Sequence, residues 1–241
     1  MTSWNATSIL TSVPSGATTG NVVVTVGGVA SNGVSFTVTS SAGVHPTFIQ
    51  HSTCGSTANG CTTPAANYTG ANIYVVGVSE YGTNKGTVSD SAGDIFYGPY
   101  LSSEGSAISA LIYYAPNVSA TGQSVETFTY SSNGSYATVA VEGFSNVSPS
   151  SPLAQYQQNE ISTAATSITA GASGISPASN NQLLFTVVEN NASTVAQTVN
   201  DSFTVTDQRP GSSTSEGGGG AYLIQSAASS VNPTWSWTRC V

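Results

Sequence analysis

The chain has 241 residues, of which three are Lys or Arg and eleven are Asp or Glu, so its formal net charge is -8. Nucleic acids and anionic membrane surfaces are bound through several cationic side chains, and we expect neither partner. No apolar run reaches the roughly 18 residues that span a bilayer, so membrane insertion is not expected either. The hydrophobic fraction of 39 % supports a folded core. This composition predicts a secreted or surface-exposed β protein without catalytic activity.

Short alternating or β-branched runs recur along the chain, and each is bounded by Gly, Pro, Asn or Ser. The predicted strands are residues 7–13, 21–26, 34–39, 72–79, 108–114, 125–130, 137–144, 183–189, 203–206, 221–226 and 234–238. No segment has the 3.6-residue period of a long amphipathic helix, and the Thr, Ser and Gly of residues 164–178 favour loop or strand. Many short strands with regular turn signals predict an all-β fold of the β-sandwich or jelly-roll type.

The first forty residues predict a strand ending at a proline, a turn, a second strand, an Asn-Gly hairpin turn and a closing strand. The residues that mark these features are Val13-Pro14, Gly20-Asn21-Val22 and Ser31-Asn32-Gly33. They resemble the second half of an IPT/TIG domain, an immunoglobulin-like module of many bacterial surface proteins. The resemblance implies a partial Ig-like sheet over residues 1–40 that lacks the opening strands of the family.

Three strands of a sandwich without their partner sheet expose an apolar face and an unpaired edge. Apolar residues alternate along the second strand and recur in the closing strand. The predicted assembly surface consists of Val22, Val24, Val26, Val34 and Phe36. We expect strands of another copy, or of the larger domain, to cover this surface.

Three later segments resemble a β-sandwich module of secreted bacterial proteins that often follows such repeats. They are residues 88–94 (VSDSAGD), 111–118 (LIYYAPNV) and 137–147 (ATVAVEGFSNV). The resemblance implies an extracellular, multi-module origin and no particular activity. The predicted organisation is a partial Ig-like segment at 1–40, a linker at 41–52 that contains His45 and His51, and a jelly-roll-like β-sandwich at 53–241.

Cys54 and Cys61 bracket a turn-forming segment of six residues, Gly-Ser-Thr-Ala-Asn-Gly. A local disulfide is the preferred interpretation and is worth roughly 2.5 kcal/mol on the loop-entropy model. Reduced thiols, or a zinc site with His45 and His51, are the alternatives. Cys240 is left over, and it is either free or paired with a cysteine of another chain or of a missing segment. A disulfide fits an extracellular or cell-surface location, because such bonds persist in oxidising compartments.

Asp90 and Asp94 flank a Ser-Ala-Gly turn and are the candidate metal ligands of the chain. Their carboxylates and a backbone carbonyl would suit Ca²⁺, a hard ion that prefers loop oxygens. The alternative is a β-turn in which Asp90 caps its own backbone and Gly93 supplies a positive φ. The turn is the preferred interpretation, so no cofactor is expected, and calcium is the alternative at these two residues.

Trp235 and Trp237 lie two residues apart on a predicted strand and therefore on one face. Together with Tyr113 or Tyr222 they would form a platform for stacking sugar rings. The alternative, which we favour because the neighbouring residues are small, is that both tryptophans fill a sandwich core.

No catalytic residue is identified. The glutamates would allow a paired-carboxylate glycosidase, but their spacing selects no pair. Residues 217–220 are four glycines that no Lys or helix follows, so they predict a hairpin or a closely approached strand rather than a phosphate loop.

The sequence thus predicts a non-catalytic extracellular structural or adhesive protein that assembles with itself by β-strand complementation, as a filament or surface layer. The alternative prediction is a carbohydrate-binding module of a secreted multi-domain protein, with a glycan as its partner.

Overall fold

The computed structural model describes residues 3–5, 7–10, 19–37, 45–56, 59–82, 85–101, 108–118, 125–134, 136–148, 152–161, 165–190, 196–209 and 217–238. The chain divides into two compact units, Met1–Gly43 and Val44–Val241. The described residues form strands and turns and contain no helix. The predicted all-β class is therefore confirmed.

The first unit consists of short antiparallel strands that pair two by two, β1 with β2, β3 with β6 and β4 with β5. The strands are β1 (Ser3–Trp4), β2 (Ile9–Leu10), β3 (Gly20–Val22), β4 (Thr25–Val26), β5 (Val29–Ala30) and β6 (Val34–Phe36). The predicted strand at 21–26 is thus interrupted between β3 and β4. The strand end expected at Val13 and Pro14 lies outside the described residues.

The turn between β4 and β5 lies at Gly27 and Gly28, whereas the Asn32-Gly33 pair predicted to form a hairpin turn lies between β5 and β6. Gly27 and Gly28 both have a positive φ, 58° and 83°, as the two central residues of a type I′ turn require. Val26 pairs directly with Val29 across this turn. Two adjacent glycines satisfy the turn without steric cost, so they set the register instead of the later Asn-Gly pair.

The described residues of the second unit form fourteen strands. They are β7 (Thr47–Ser56), β8 (Gly60–Thr62), β9 (Ile73–Tyr81), β10 (Thr87–Asp90), β11 (Tyr97–Leu101), β12 (Ile108–Pro116), β13 (Phe128–Ser131), β14 (Tyr136–Ser145), β15 (Ser167–Thr169), β16 (Gln182–Asn190), β17 (Thr198–Val199), β18 (Thr204–Arg209), β19 (Gly217–Gln225) and β20 (Thr234–Ser236). Strand β7 begins inside the predicted linker 41–52, because its alternation of apolar and polar residues is that of a half-buried edge strand.

These strands form four antiparallel sheets. Sheet 1 has the order β10-β13-β8, sheet 2 the order β11-β12-β9-β14-β7, sheet 3 the order β16-β19-β18 and sheet 4 the order β15-β20-β17. Apolar clusters fill the spaces between sheets 1 and 2, between sheets 2 and 3, and between sheets 3 and 4. The predicted sandwich is therefore two sandwiches packed back to back through sheets 2 and 3.

The central strands show why the layers stack in this way. On β9, Tyr74, Val76 and Val78 face sheet 1, whereas Ile73 and Val75 face sheet 3. Because successive side chains of a strand point to opposite faces, a strand that is apolar at nearly every position must be covered on both sides. Strand β14 is buried from end to end for the same reason, apart from its last residue.

The glycine run at 217–220 begins strand β19, which confirms the closely approached strand rather than a hairpin. A Cβ atom at Gly218 would lie 2.0 Å from the Oγ of Ser79 on sheet 2. The same Ser79 hydroxyl donates a hydrogen bond to the carbonyl of Val188 on sheet 3, at 2.8 Å. Glycine is required here because the two sheets approach too closely for a side chain.

Cys54 and Cys61 are joined by a disulfide, as predicted. Cys54 lies on β7 at the edge of sheet 2, and Cys61 lies on β8 at the edge of sheet 1. The bond therefore links the two sheets of the first sandwich across a short connection. Cys240 lies outside the described residues.

Candidate functional site

The turn that follows β10 has the geometry predicted for Asp90. Its Oδ1 accepts hydrogen bonds from the backbone N–H groups of Gly93, at 2.7 Å, and Asp94, at 2.9 Å. Gly93 has a φ of 81°. This is an Asx-type turn in which the carboxylate replaces backbone partners. The turn interpretation is therefore confirmed, and the Oδ2 atom remains available for another contact.

Glu126 meets this turn from a distant part of the chain. One carboxylate oxygen from each of Asp90, Asp94 and Glu126 lies within 4.8 Å of the other two. Glu126 is only 1 % exposed, and its backbone forms a two-way bridge with Ala66 just before β13. We call these three carboxylates the acidic cluster.

The acidic cluster contains two buried oxygen atoms without a hydrogen-bond partner among the described residues. They are Asp90 Oδ2 and Glu126 Oε2. The other oxygen of Glu126, Oε1, accepts a hydrogen bond from the Tyr74 hydroxyl at 2.7 Å. Burial raises the pKa of Glu126, the hydrogen bond from Tyr74 lowers it, and the negative charges of Asp90 and Asp94 raise it. The site therefore concentrates negative charge in a poorly solvated place.

Sequence reasoning paired Asp90 with Asp94 but missed Glu126. A signal for its burial exists, because Glu126 alternates with Phe128 and Tyr130 and so shares their core-facing side. Its position opposite the Asp90 turn depends on the pairing of β10 with β13, in which Asp90 lies opposite Phe128. Spacing along the chain does not contain that information.

The four aromatic residues of the predicted sugar platform are not brought together. Trp235 is wholly buried between sheets 3 and 4, and its Nε1–H donates to Thr186 Oγ1 at 3.0 Å. Trp237 packs partly buried against the same core. Both tryptophans therefore pack with the core, which is the interpretation that we favoured over a ligand platform. They lie on one face, as their spacing predicted.

The two tyrosines lie in other layers. Tyr113 is buried between sheets 1 and 2, and its hydroxyl donates to the Gly86 carbonyl at 2.6 Å. Tyr222 faces sheet 2 and stacks on Phe48, with ring centroids 5.1 Å apart. Because side chains in different layers cannot share one surface, the predicted platform is wrong as a set.

A different group of aromatic rings lies at the β11 edge of sheet 2. Tyr114 stacks on Tyr97 and on Tyr100, with centroid distances of 5.5 and 6.0 Å. Tyr100 also contacts the edge of Tyr156, at 5.2 Å. Tyr97 and Tyr156 are each about half exposed. We call these four residues the tyrosine cluster, which sequence reasoning missed because Tyr156 joins it from outside the strands.

A second buried polar group lies between sheets 2 and 3. Glu142 is completely buried and accepts a hydrogen bond from the Thr206 hydroxyl. Burial raises its pKa well above the ordinary value, and the negative charge of Asp207 raises it further. Asp207 pairs with His51, whose Nδ1 lies 3.0 Å from its Oδ1. Burial raises the Asp207 pKa, and the proximity of His51 lowers it.

Comparison of the chain with protein-family models, with curated proteins and with solved structures finds no match. The resemblance of residues 1–40 to an IPT/TIG domain therefore stays a prediction.

Within the described ranges, no helix is long and apolar enough to cross a membrane. The disulfide is typical of an oxidising environment, such as the outside of the cell.

Proposed function

We propose that this chain is a non-catalytic extracellular structural or adhesive protein that assembles with copies of itself through its first unit. The observation that supports this proposal is the exposure of apolar side chains on the short strands of that unit. Val22, Val26, Val34 and Phe36 are between 40 % and 69 % exposed. Val24, the fifth predicted assembly residue, is half-buried.

The pairing of these strands favours the addition of further strands. The described strands of the first unit form only two-stranded sheets, and an isolated two-stranded sheet is marginally stable in water. Strand addition from another copy would bond unpaired backbone groups and cover the apolar residues in one step. A second copy of this chain is therefore the proposed occupant.

The distribution of charge also favours contact through the first unit. Residues 1–43 contain no Asp, Glu, Lys, Arg or His, so the net charge of -8 belongs to the second unit. Like charges on the second units of two copies repel each other, whereas nothing repels two uncharged first units. Natural sheet edges are commonly protected by charged side chains, and this unit has none. The Cys54–Cys61 disulfide supports the extracellular location.

Sedimentation velocity of the full chain tests the proposal. We expect an oligomer or filament at micromolar concentration. Because Val22 and Val34 are directly paired, the double variant Val22→Thr, Val34→Thr should shift the population toward the monomer while keeping β-branched side chains. The control is Val125→Thr, since Val125 is an exposed valine of the second unit; this variant should assemble like the wild type.

Two results would contradict the proposal. A full chain that remains monomeric at micromolar concentration, with residues 20–36 protected from hydrogen exchange, would place the partner strands within the same chain. Equal effects of the paired substitutions and of Val125→Thr on assembly would show that the first unit does not form the contact.

The tyrosine cluster supports a second candidate function, carbohydrate binding. Exposed tyrosine rings combine an apolar face for a sugar ring with a hydroxyl for hydrogen bonding. A glycan array probed with the full chain tests this function, and Tyr156→Ala should abolish any signal without lowering the melting temperature. Tyr81→Ala, which changes another exposed tyrosine, is the control. An array without signal would contradict this candidate.

A further inference from the structure

We propose that the acidic cluster is a Ca²⁺-binding site whose carboxylate ligands are Asp90, Asp94 and Glu126. The inference is independent of the proposed assembly, because the cluster lies wholly in the second unit. It adds Glu126 to Asp90 and Asp94, the two ligands that the sequence analysis considered.

The burial of Glu126 is the observation that points to a ligand. Glu126 is only 1 % exposed, yet its Oε2 atom has no hydrogen-bond partner among the described residues. A buried polar atom without a partner is costly, and a buried carboxylate is more so. One oxygen of the Glu126 carboxylate lies within 4.8 Å of carboxylate oxygens of Asp90 and Asp94, so a cation bound among the three residues would satisfy this buried carboxylate.

The described cationic side chains lie elsewhere. Lys85 donates to the Ser109 hydroxyl, and Ser109 pairs with Glu80 on β9. Arg209 lies over the ring of Tyr136, which pairs with Tyr81 at the end of β9. Tyr74, which contacts Glu126, is six positions from Glu80, or roughly 20 Å along a strand. Neither cation therefore neutralises the cluster.

The ligand set selects calcium among the common divalent ions. All three ligands are carboxylate oxygens, which hard ions prefer, and zinc would favour His or Cys. Two oxygens on one Ca²⁺ can lie about 5 Å apart, twice the usual bond length, whereas the limit for Mg²⁺ is about 4.2 Å. All of the separations are within 4.8 Å, a range that Ca²⁺ spans completely without movement of the ligands and that Mg²⁺ spans only in part. Backbone carbonyls and water would complete its coordination.

The position of the site predicts what the ion does. Asp90 and Asp94 belong to the turn after β10, and Glu126 belongs to the segment before β13. The same two segments are already joined by backbone hydrogen bonds, of which Ser91 N–H to Thr127 O is one. A bound ion would link the turn at Asp90 and Asp94 to the segment that contains Glu126. The hydrogen bond from Tyr74 to Glu126 would connect the ion to sheet 2 as well. Ion binding should therefore stabilise the folded chain.

Thermal unfolding of the full chain, first in EGTA and then with added CaCl₂, tests the site. Extracellular calcium modules bind with a Kd of about 10⁻⁴ to 10⁻³ M, so about 10 mM CaCl₂ should raise the Tm by roughly 3 to 10 °C. The variant Glu126→Gln should lose this rise. In EGTA it should melt at or above the wild-type temperature, because the substitution removes a buried negative charge and retains an acceptor for Tyr74.

A control variant is measured with the same additions of CaCl₂. Glu160→Gln removes an exposed carboxylate and should respond to calcium like the wild type. Should Glu126→Gln fail to fold, Asp94→Asn takes its place. Three results would overturn the inference: no calcium response of the wild type by Tm or calorimetry, a response that Glu126→Gln or Asp94→Asn retains in full, or an equal response to MgCl₂.

Discussion

Three glutamates of the second unit, Glu80, Glu126 and Glu142, are almost completely buried, and each accepts a hydrogen bond from a hydroxyl group. The donors are Tyr130 for Glu80, Tyr74 for Glu126 and Thr206 for Glu142. None of these donors is a basic side chain, in a chain that has only three Lys and Arg residues. These neutral donors stabilise a protonated or a charged carboxyl group without a salt bridge.

The first prediction at this scale concerns pH and Glu142. A carboxyl group whose pKa is higher in the folded chain than in the unfolded chain binds its proton more tightly when folded. It therefore stabilises the fold below the unfolded pKa of about 4.3 and loses that contribution as the pH rises through its folded pKa. Because burial and Asp207 raise the pKa of Glu142, we expect the wild type to lose stability from about pH 4.3 upward on account of this residue.

Replacing Glu142 by Gln isolates the effect. Glutamine keeps an acceptor for Thr206 and does not ionise, so Glu142→Gln should be more stable than the wild type at pH 7, and the difference should shrink towards pH 4. Urea unfolding at several pH values measures both quantities. Because the charge of Asp207 acts on Glu142, the two carboxyl groups titrate as a coupled pair, and the difference between the curves includes the effect of the substitution on Asp207. A difference that does not depend on pH would show that Glu142 keeps the same pKa in both states.

At the scale of elements, the second sandwich depends on one large side chain. Trp235 on β20 contacts the core between sheets 3 and 4, and its ring lies against Gly219 of β19, where a Cβ would lie 3.3 Å from it. The small strands β15 and β17 pair only with β20 in sheet 4. The packing of this sheet therefore relies on the tryptophan that its central strand carries.

The prediction that follows is a difference between the two tryptophans. Trp235→Ala should lower the free energy of unfolding by about 3 to 5 kcal/mol, the usual cost of deleting a fully buried aromatic side chain. Trp237→Ala should cost less, because Trp237 is only partly buried. Chemical denaturation of the two variants measures the difference. Equal losses would mean that sheet 4 does not depend on the buried ring in particular.

At the scale of the whole molecule, the two units differ in the kind of surface that they present. The second unit has its own cores and carries all of the charged side chains, whereas the described strands of the first unit are mostly exposed. Copies that repel through one unit and associate through the other can form an ordered assembly without precipitating. On the proposed function, this division would allow assembly through the uncharged first unit while the charged second units keep the copies apart.

Deletion of residues 1–43 tests this division of roles. The remaining chain should stay folded, with a Tm within a few degrees of the main transition of the full chain, because its apolar clusters lie within residues 44–241. It should also sediment as a monomer. Circular dichroism melting and analytical ultracentrifugation give the two readouts. An unfolded truncated chain would instead mean that the second unit needs the first for stability.

Features that depend on neighbouring residues could be predicted from the amino-acid sequence alone. The long strands β9, β14 and β16 were predicted to within a few residues, because alternation and β-branched side chains are local properties. The Asp90 turn and the Cys54–Cys61 bond were predicted for the same reason, since both close over fewer than ten residues. The all-β class follows from the sum of such local signals.

Contacts between residues that are distant in the sequence became visible only in the folded chain. The alternation of apolar and polar residues indicates that a side chain is buried, but it does not indicate which sheet covers that side chain. The two back-to-back sandwiches were therefore not predicted. Glu126 reaches Asp90 through the pairing of β10 with β13, and Tyr156 reaches Tyr100 from a segment without strands. These contacts arise from the stacking and register of sheets, which minimise exposed apolar area over the whole chain and leave no signal in any short segment.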